Sequence, residues 1–419
     1  MKLSTFGQKI TSNSGINLLM DDLGRALSEK GMLMLGGGNP AHIPEVQQCI
    51  RGAMQRILER DGAFERAIGD YDSPQGNPAF IESLAALLHR ECGWDVGPRN
   101  IALTTGSQGA FFILFNMFAG RYGDGSFKKI LLPLAPEYIG YSDVGLEPGI
   151  FRAVQPEIEY IDDLLFKYHV DFQRLEAVDD AGAICFSRPT NPTGNMMSDE
   201  ETQRLMRLAE ERDVPLIIDG AYGLPFPGIV FSDAAPQWSP RTILCMSLSK
   251  FGLPALRTGI VVASEEIIAA ISAASAIMCL APNRIGATLA NELIREDKLL
   301  SLGRDVIRPY YQSRADRAVE QLRRELRGID CRVHKPEGAF FLWLWFRDLP
   351  ISSQEFYERL KARGVLVVPG RHFFPGLEGE WKQRDECLRI SYAQNEATVQ
   401  RGLSIIADEA RKIYSQYER

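Results

Sequence analysis

The sequence has no Cys-x-x-Cys pair, no internal repeat and no low-complexity segment. Its seven cysteines are odd in number and widely spread, which excludes zinc knuckles and thioredoxin-type redox pairs and indicates buried, reduced thiols. The longest uncharged stretch, residues 267–283, falls short of the roughly 20 apolar residues that a bilayer requires, and it predicts a buried helix. The N-terminus lacks an apolar signal-peptide core, so we expect no membrane span and a cytoplasmic protein.

The charge balance and the metal-ligand content exclude further classes of function. The 419 residues include 47 basic and 54 acidic side chains, a net charge of −7, which argues against binding to nucleic acid or anionic lipid. The G-x-G-x-x-G and Walker patterns are missing, which counts against dinucleotides and nucleoside triphosphates. We predict no metal site, because no metal-ligand spacing connects the five histidines, His42, His89, His169, His334 and His372.

What the sequence does contain is an alternation of short apolar runs with helix-like stretches. The runs are continuous and rich in β-branched residues, as in strands that helices cover on both faces. The predicted strands are residues 101–105, 129–134, 182–187, 214–219, 242–247 and 258–263. A helix between two of them, residues 198–212, opens on a Ser-Asp-Glu-Glu capping pattern. This order predicts an α/β fold with a mostly parallel sheet.

The pattern changes after about residue 300. A long, charged, amphipathic helix is predicted there, then strand-like segments and a last helix, at residues 302–327, 331–346, 386–393 and 396–417. We therefore predict three segments. These are an arm that includes part of the small domain at residues 1–45, a large domain at residues 46–300, and a smaller α+β domain at residues 301–419.

Polar residues follow the predicted strands, and ligands of open α/β sheets bind outside these carboxyl ends. Gly106, Ser107 and Gln108 follow the first strand and open a helix, where backbone N–H groups can cradle a phosphate. Asn191 stands after the strand at residues 182–187, in a turn with two prolines and a glycine. Each of these signals is weak alone, because a Gly-Ser turn into a helix is usually structural.

Two charged residues stand at the ends of apolar runs. Asp219 would be a costly buried carboxylate unless it were paired with a cation, and burial would lower the pKa of Lys250 and make its amine nucleophilic. A salt-bridged core aspartate and a lysine that reaches the surface are the ordinary alternatives. Together with a phosphate cradle, the two residues describe a site for a phosphorylated aldehyde with a pyridine ring, which is pyridoxal 5′-phosphate.

The order of these motifs resembles the class I and II aminotransferases of fold type I across nearly the whole chain. The similar segments are Tyr71 to Gly76, Gly106 to Gln108, Asn191 to Gly194, Asp219 to Tyr222, Ser247 to Lys250, Arg257 to Gly259 and Leu388 to Ile390. Within the family, residues 35–41, 136–141, 166–172, 222–231 and 334–346 are similar to members that exchange an amino group between L-valine and pyruvate. The resemblance implies ping-pong exchange in branched-chain amino-acid metabolism.

The resemblance also implies catalytic roles. Lys250 would form the Schiff base with the cofactor and move the proton during the exchange. Asp219 would pair with the pyridine nitrogen, Tyr138 would stack on the ring, and Tyr222 would bind the phenolic oxygen. The other cofactor contacts that it implies are Asn191 at the phenolic oxygen, Gly106, Ser107, Gln108, Ser247, Ser249 and Arg257 at the phosphate, and Tyr71 from the second subunit of a homodimer.

The substrate site follows from the same resemblance. Arg389 would bind the substrate carboxylate as a bidentate fork, beside Asn191 and the backbone of Gly38. No arginine stands near Ala276, where members that select dicarboxylates carry one, which disfavours aspartate and glutamate.

Three arginines depart from the family pattern. The family usually places eight residues between the Schiff-base lysine and the arginine. Arg257 is the seventh residue after Lys250, so the connecting loop is shorter. Arg284 lies in a loop that in this family approaches the active site of the partner subunit. Arg188, beside the Asn191 turn, matches no catalytic role, and we expect it to form a structural ion pair.

Other functions are open at this point. The same residues would serve another reaction of the cofactor, as in a broad-range alanine aminotransferase or a C–S β-lyase, which would release pyruvate without an added keto acid. The effector-sensing half of a transcription regulator is disfavoured, because only about 35 residues precede Gly36, too few for a winged-helix domain.

Overall fold

The computed structural model describes residues 1–11, 15, 17, 24 and 31–417. The helices in this part of the chain are α1 (Thr5–Ile10), α2 (Pro44–Glu59), α3 (Ala63–Gly69), α4 (Pro78–Cys92), α5 (Gly106–Phe118), α6 (Phe172–Glu176), α7 (Asp199–Glu211), α8 (Glu265–Cys279), α9 (Arg284–Arg295), α10 (Lys298–Leu302), α11 (Arg308–Glu325), α12 (Ser353–Ala362), α13 (Gln383–Glu386) and α14 (Glu396–Tyr417). The strands are β1 (Leu33–Met34), β2 (Ile101–Thr105), β3 (Gly120–Arg121), β4 (Phe127–Leu132), β5 (Phe151–Ala153), β6 (Glu157–Tyr160), β7 (Leu165–His169), β8 (Ala181–Ser187), β9 (Leu216–Asp219), β10 (Thr242–Ser247), β11 (Thr258–Val262), β12 (Cys331–His334), β13 (Phe341–Phe346), β14 (Val365–Leu366), β15 (Val368–Pro369) and β16 (Cys387–Ser391).

The first sheet has eight strands in the order β2-β11-β10-β9-β8-β4-β3, with β5 beside β4. Strands β10, β9, β8, β4 and β5 run parallel, and β11 is antiparallel to both of its neighbours. Strands β8, β9, β10 and β11 are buried along their whole length. The carboxyl ends of β2, β10, β9, β8 and β4 therefore meet at one edge of the sheet, where ligands bind in folds of this kind.

The predicted α/β fold and the mostly parallel sheet are confirmed. Strands β2 and β10 cover the predicted residues. Three of the other predicted strands differ by one or two residues at one end, and β4 is shifted by two residues at both ends. Helix α7 begins after Ser198, whose hydroxyl accepts the Glu201 N–H at 3.1 Å while the Glu201 carboxylate accepts the Ser198 N–H at 2.9 Å. The capping pattern thus forms the two reciprocal bonds that start a helix.

The second sheet has six strands in the order β15-β16-β13-β12-β7-β6. Strands β6 and β7 form an antiparallel hairpin, and β7 pairs with β12 although the two lie far apart in sequence. Strand β1 pairs with β14, which joins the start of the chain to its C-terminal part. The division into segments at residues 45 and 300 stays a prediction. The second sheet takes strands from both sides of residue 300.

Two predictions for the C-terminal part are wrong in detail. The helix expected over residues 302–327 is interrupted by a π-helical turn, Gly303–Ile307, before α11 begins. Pro309 has no N–H for the carbonyl group four residues earlier, which lies in that turn. The strand-like segment at residues 331–346 is divided into β12 and β13, because Pro336 and Gly338 stand between them.

The uncharged stretch expected to be a buried helix forms α8, but the end of α8 is exposed. Ile277 is 89 % exposed and Leu280 65 % exposed, whereas Ile268 and Ile271 are buried. Among the described residues, no helix has the length and apolarity to cross a membrane. All seven cysteines lie in the described part as free thiols, of which four are buried and three are half-buried.

Candidate active site

A cavity of about 220 Å³ lies at the carboxyl edge of the first sheet and reaches the second sheet. All residues that the sequence predicted for the site line this cavity except Gly106 and Tyr71. Five lining residues were not predicted: Asn39, Ile139, Ser187, Ala221 and Pro254. Ser187 could have been predicted, because it is the last residue of the strand predicted at residues 182–187. The other four residues carry no signal of their own: they are sequence neighbours of predicted residues or lie in a loop.

Lys250 follows β10 and projects into the cavity. Its Nζ donates a hydrogen bond to the Gly38 carbonyl oxygen at 2.7 Å and lies 5.4 Å from the centre of the Tyr222 ring. Burial, with the positive charges of Arg389 and Arg257, lowers the pKa of Lys250 to about 8. About one-tenth of the amine is therefore neutral at pH 7, far more than for an ordinary lysine, and a neutral amine can attack a carbonyl group.

This pKa predicts how Lys250 reacts with a small electrophile. In cofactor-free protein, we expect the rate of its carbamylation by cyanate to rise about tenfold per pH unit up to about pH 8 and to level above that pH. Lysines with the ordinary pKa of about 10.4 serve as internal references, because their rates continue to rise. Peptide mass spectrometry after timed modification gives both rates. A Lys250 rate that climbs in parallel with the references would contradict the prediction.

Asp219 ends β9 and is buried at the floor of the cavity. One carboxylate oxygen accepts a hydrogen bond from the Tyr141 hydroxyl at 2.8 Å, and the other accepts the Ala221 N–H at 3.0 Å. Burial raises the pKa of Asp219 to about 6, and the two hydrogen bonds oppose this rise. The carboxylate is therefore mostly ionised at neutral pH. The sequence did not predict Tyr141, whose ring packs edge-on against Phe111 and Phe115.

Arg389 comes from β16 in the second sheet and is buried. Its Nη1 donates to Asn191 Oδ1 at 2.9 Å and its Nη2 to the Gly36 carbonyl oxygen at 2.7 Å. The guanidinium lies over the rings of Phe341 and Phe373, at 4.2 Å and 5.1 Å. Burial lowers the pKa of Arg389 to about 10, so it remains a cation at neutral pH. Its Nε has no hydrogen-bond partner within the described part of the chain, and a carboxylate ligand would supply one.

The start of α5 and the loop after β10 form a cradle for an anion. Gly106 has φ +75°, and a Cβ at this position would lie 2.3 Å from Arg257 Nη2, so a glycine is needed for the guanidinium to approach the helix start. Ser107, Ser247 and Ser249 line the cavity here, and Arg257 Nη1 lies 3.5 Å from Ser249 Oγ. Backbone N–H groups, hydroxyls and a guanidinium are the donors that bind phosphate.

The loop between Lys250 and Arg257 closes by a tight turn. A 3₁₀ turn, Pro254–Leu256, precedes Arg257, which has φ +46° and leads the chain into β11. A left-handed conformation costs a residue with a side chain about 1–2 kcal/mol. After this turn the Arg257 guanidinium reaches the cradle, where its Nη1 lies 3.5 Å from Ser249 Oγ.

Comparison with known proteins gives the family. The family model of class I and II aminotransferases matches residues 31–406. Valine–pyruvate aminotransferase of Escherichia coli K12 is 50 % identical over 99 % of this chain and 100 % of its own length. The crystal structure of valine–pyruvate aminotransferase from Salmonella typhimurium LT2 is 48 % identical, with a TM-score of 0.89 over 96 % of this chain and 100 % of that chain. A protein structure from Psychrobacter arcticum 273-4 is 47 % identical, with a TM-score of 0.96 over 99 % of both chains.

The chain belongs to the class I and II aminotransferases. Enzymes of this class depend on pyridoxal 5′-phosphate, which is therefore the cofactor of this chain. The residues of the cavity fit the cofactor. The cradle that a Cβ at Gly106 would fill suits its phosphate, Asp219 suits its pyridine nitrogen, and the amine of Lys250 suits its aldehyde.

The fit at Gly106 predicts the effect of a single methyl group. We expect Gly106→Ala to raise the Kd of the aminotransferase for pyridoxal 5′-phosphate by about 10- to 100-fold, because the new Cβ displaces Arg257 from the cradle. Gly149→Ala is the matched control, since Gly149 has φ +73° but no atom within 4 Å of its Cβ position. Titration of cofactor-free protein gives both Kd values. Equal changes in the two variants would assign the effect to backbone strain instead of the cradle.

Two arginines that the sequence left without a role have partners in this aminotransferase. Arg188 pairs with Asp199, and its Nε donates to the Met197 carbonyl oxygen at 2.9 Å, so the expected structural ion pair is present. Arg284 at the start of α9 has its Nε 3.5 Å from Asp72 Oδ1. This contact holds the loop that carries Tyr71 against α9. The Tyr71 ring lies outside the cavity and is exposed, and its contact with a second subunit stays a prediction.

Proposed function

We propose that this aminotransferase transfers the amino group of L-valine to pyruvate, producing 3-methyl-2-oxobutanoate and L-alanine. The observation that carries the proposal is the meeting of Lys250, Asp219 and Arg389 in one cavity. The full-length identity of 50 % with an enzyme named for this reaction supports the choice of substrates. The same cavity serves both half-reactions in turn, because valine and pyruvate each present a carboxylate next to the reacting carbon.

Each residue in the cavity has a task in this reaction. When bound, the cofactor supplies an electron sink for the charge that develops at the substrate α-carbon. Lys250 removes and returns the α-proton, since its lowered pKa lets the amine act as base and then as acid near neutral pH. Arg389 orients the substrate through its carboxylate, using the Nε donor and an Nη donor. The ionised Asp219 keeps a proton on the pyridine nitrogen.

The remaining proposed contacts belong to binding. Asn191, which accepts from Arg389, and Tyr222, which lies beside Lys250, would bind the phenolic oxygen of the cofactor. The phosphate would bind the start of α5 and the loop after β10. The residues proposed for it are Gly106, Ser107, Gln108, Ser247, Ser249 and Arg257.

The proposed substrate preference is open to a direct test. At fixed pyruvate, kcat/KM for alanine formation should be at least about 100-fold higher with L-valine than with L-aspartate. Among the described residues that line the cavity, the cations are Lys250, Arg257 and Arg389, and each already has another proposed partner, so a second carboxylate would be left unpaired. L-2-Aminobutyrate should also react, since a missing methylene changes such rates only about 10–200-fold. Chromatography of the alanine formed measures all three. A kcat/KM for aspartate equal to that for valine would contradict the proposed substrate pair.

We also propose that the aminotransferase works in the cytoplasm as a homodimer. Apolar side chains on α3, in the loop that carries Tyr71 and at the end of α8 are exposed, and exposed apolar surface is typical of contacts between subunits. They are Ile68, Tyr71, Ile277, Met278 and Leu280. Sedimentation should give twice the chain mass of 46.8 kDa, and Ile277→Asp should shift it toward the single chain. A single-chain mass for the unaltered protein would contradict the dimer.

The cytoplasmic location is supported by the seven free thiols, which are typical of proteins in a reducing compartment.

A further inference from the structure

Glu137 is a buried carboxyl group behind the wall of the cavity. It precedes Tyr138 and is 1 % exposed. Its Oε1 accepts the Ser187 backbone N–H at 2.8 Å, and its Oε2 accepts the Tyr138 N–H at 3.1 Å and forms a hydrogen bond of 2.7 Å with the Ser187 hydroxyl. Ser187 and Tyr138 line the cavity, whereas Glu137 does not. One carboxyl group thus connects two residues that face the ligand.

The ring of Tyr138 is held in place by Gly140 and Tyr141. A Cβ at Gly140 would lie 2.4 Å from Tyr138 Cε1, so the ring lies directly over the Gly140 backbone. The Tyr141 ring meets it edge-on, with 5.4 Å between the ring centres. The Gly140 carbonyl oxygen accepts a hydrogen bond from Gln108 at 2.8 Å. The backbone of Tyr138 is held at both ends: its carbonyl oxygen accepts the Tyr141 N–H at 3.1 Å, and its N–H is accepted by Glu137.

The contact with Ser187 brings Glu137 to the centre of the sheet. Ser187 ends β8 and pairs in register with Asp219 at the end of β9. Burial raises the pKa of Glu137 to about 8, so the group is mostly protonated at neutral pH. A protonated carboxyl group can donate its proton to the Ser187 hydroxyl and still accept both N–H groups. No uncompensated negative charge is then added beside Asp219.

We propose that Glu137 is a positioning residue, which holds Tyr138 and Ser187 in place against the ring of the bound cofactor. The proposal rests on the cofactor position that is proposed above. It predicts that the group acts through the orientation of the ring and through cofactor affinity, and that it contacts neither the substrate nor the cofactor.

Replacement of Glu137 by glutamine separates orientation from simple space filling. A glutamine has the same shape but only one acceptor oxygen, and its NH₂ group must face either the Ser187 N–H or the Tyr138 N–H. One buried N–H therefore loses its partner in either orientation. We expect the Kd for pyridoxal 5′-phosphate to rise at least about tenfold and the circular dichroism of the bound cofactor to change in the visible range.

The matched control is Glu386→Gln. Glu386 is also buried, accepts a hydrogen bond from Trp345 Nε1 at 2.8 Å and lies outside the cavity. Its amide oxygen can accept the Trp345 N–H in place of the carboxylate oxygen, and the group forms no hydrogen bond with the described residues that line the cavity, so both the Kd and the circular dichroism should match those of the unaltered protein. Thermal unfolding of each cofactor-free variant shows whether it is folded.

The outcomes separate this proposal from the proposed function. Failure of the unaltered protein to bind the cofactor would overturn the proposed function. Unaltered Kd and circular dichroism in folded Glu137→Gln would overturn the positioning role alone. If Glu137→Gln does not fold, Ser187→Ala decides, because it keeps every backbone hydrogen bond and removes only the hydroxyl bound to Glu137. A several-fold rise in Kd with altered circular dichroism is then expected, and unaltered values of both would overturn the role.

Discussion

Replacement of Lys250 by arginine is expected to lower kcat for amino transfer by about four orders of magnitude. Arginine keeps the positive charge, but its guanidinium neither attacks an aldehyde nor releases a proton near neutral pH. The variant should still bind the cofactor, because the phosphate cradle and Asp219 are unchanged. The expected loss therefore lies in the chemical steps and leaves the folded state intact.

The attachment of the cofactor checks this prediction without an activity assay. After borohydride reduction, mass spectrometry should find the cofactor on the peptide that contains Lys250, and on no peptide of the Lys250→Arg variant. Lys167→Arg is the matched control, because Lys167 is a second buried lysine, forms an ion pair with Glu337 and lies outside the cavity. It should carry the cofactor as the unaltered protein does. Labelling at another lysine would mean that Lys250 does not hold the cofactor.

Replacement of Arg389 by glutamine is expected to lower kcat/KM for L-valine by about 10²- to 10⁴-fold, the effect of removing one partner from a buried, hydrogen-bonded charge pair. The cofactor Kd should change little, because the cradle and Lys250 lie on the other sheet. Glutamine can keep a hydrogen bond to Asn191 or Gly36, so the fold should survive.

Arg188→Gln is the control for the loss of a buried guanidinium. Arg188 is 5 % exposed and Arg389 is 2 % exposed, but Arg188 binds Asp199 and backbone carbonyl groups outside the cavity. Its replacement should lower the unfolding temperature and leave KM for L-valine unchanged. A normal KM in Arg389→Gln, or an equal rise in both variants, would remove Arg389 from the substrate site.

The residues that were predictable from sequence stand at the ends of strands or in the turns that follow them. Continuous apolar runs marked the strands, and Asp219 and Asn191 follow from where those runs stop. Family resemblance added Arg389, which lies in the second sheet and reaches Asn191 only in the folded chain. The roles of these residues remain proposals that the variants above test.

The parts that were not predictable depend on contacts between distant segments. Tyr141 is an ordinary apolar position in sequence, and only the fold brings its hydroxyl to Asp219. Glu137 contacts Ser187 for the same reason, because the fold places the segment after β4 beside the end of the neighbouring strand β8. The hairpin of β6 and β7 pairs with β12, which follows more than 150 residues later in the sequence, and no local pattern predicts that pairing.

The proposal to be tested first is that this chain transfers the amino group of L-valine to pyruvate through one cofactor and one lysine. The most direct test mixes the purified, cofactor-loaded protein with L-valine alone and records the visible absorbance of the bound cofactor. We expect this band to disappear, one equivalent of 3-methyl-2-oxobutanoate to form per subunit, and pyruvate to restore the band. An unchanged band with L-valine, together with pyruvate release from a sulfur-containing amino acid in the absence of any keto acid, would contradict it.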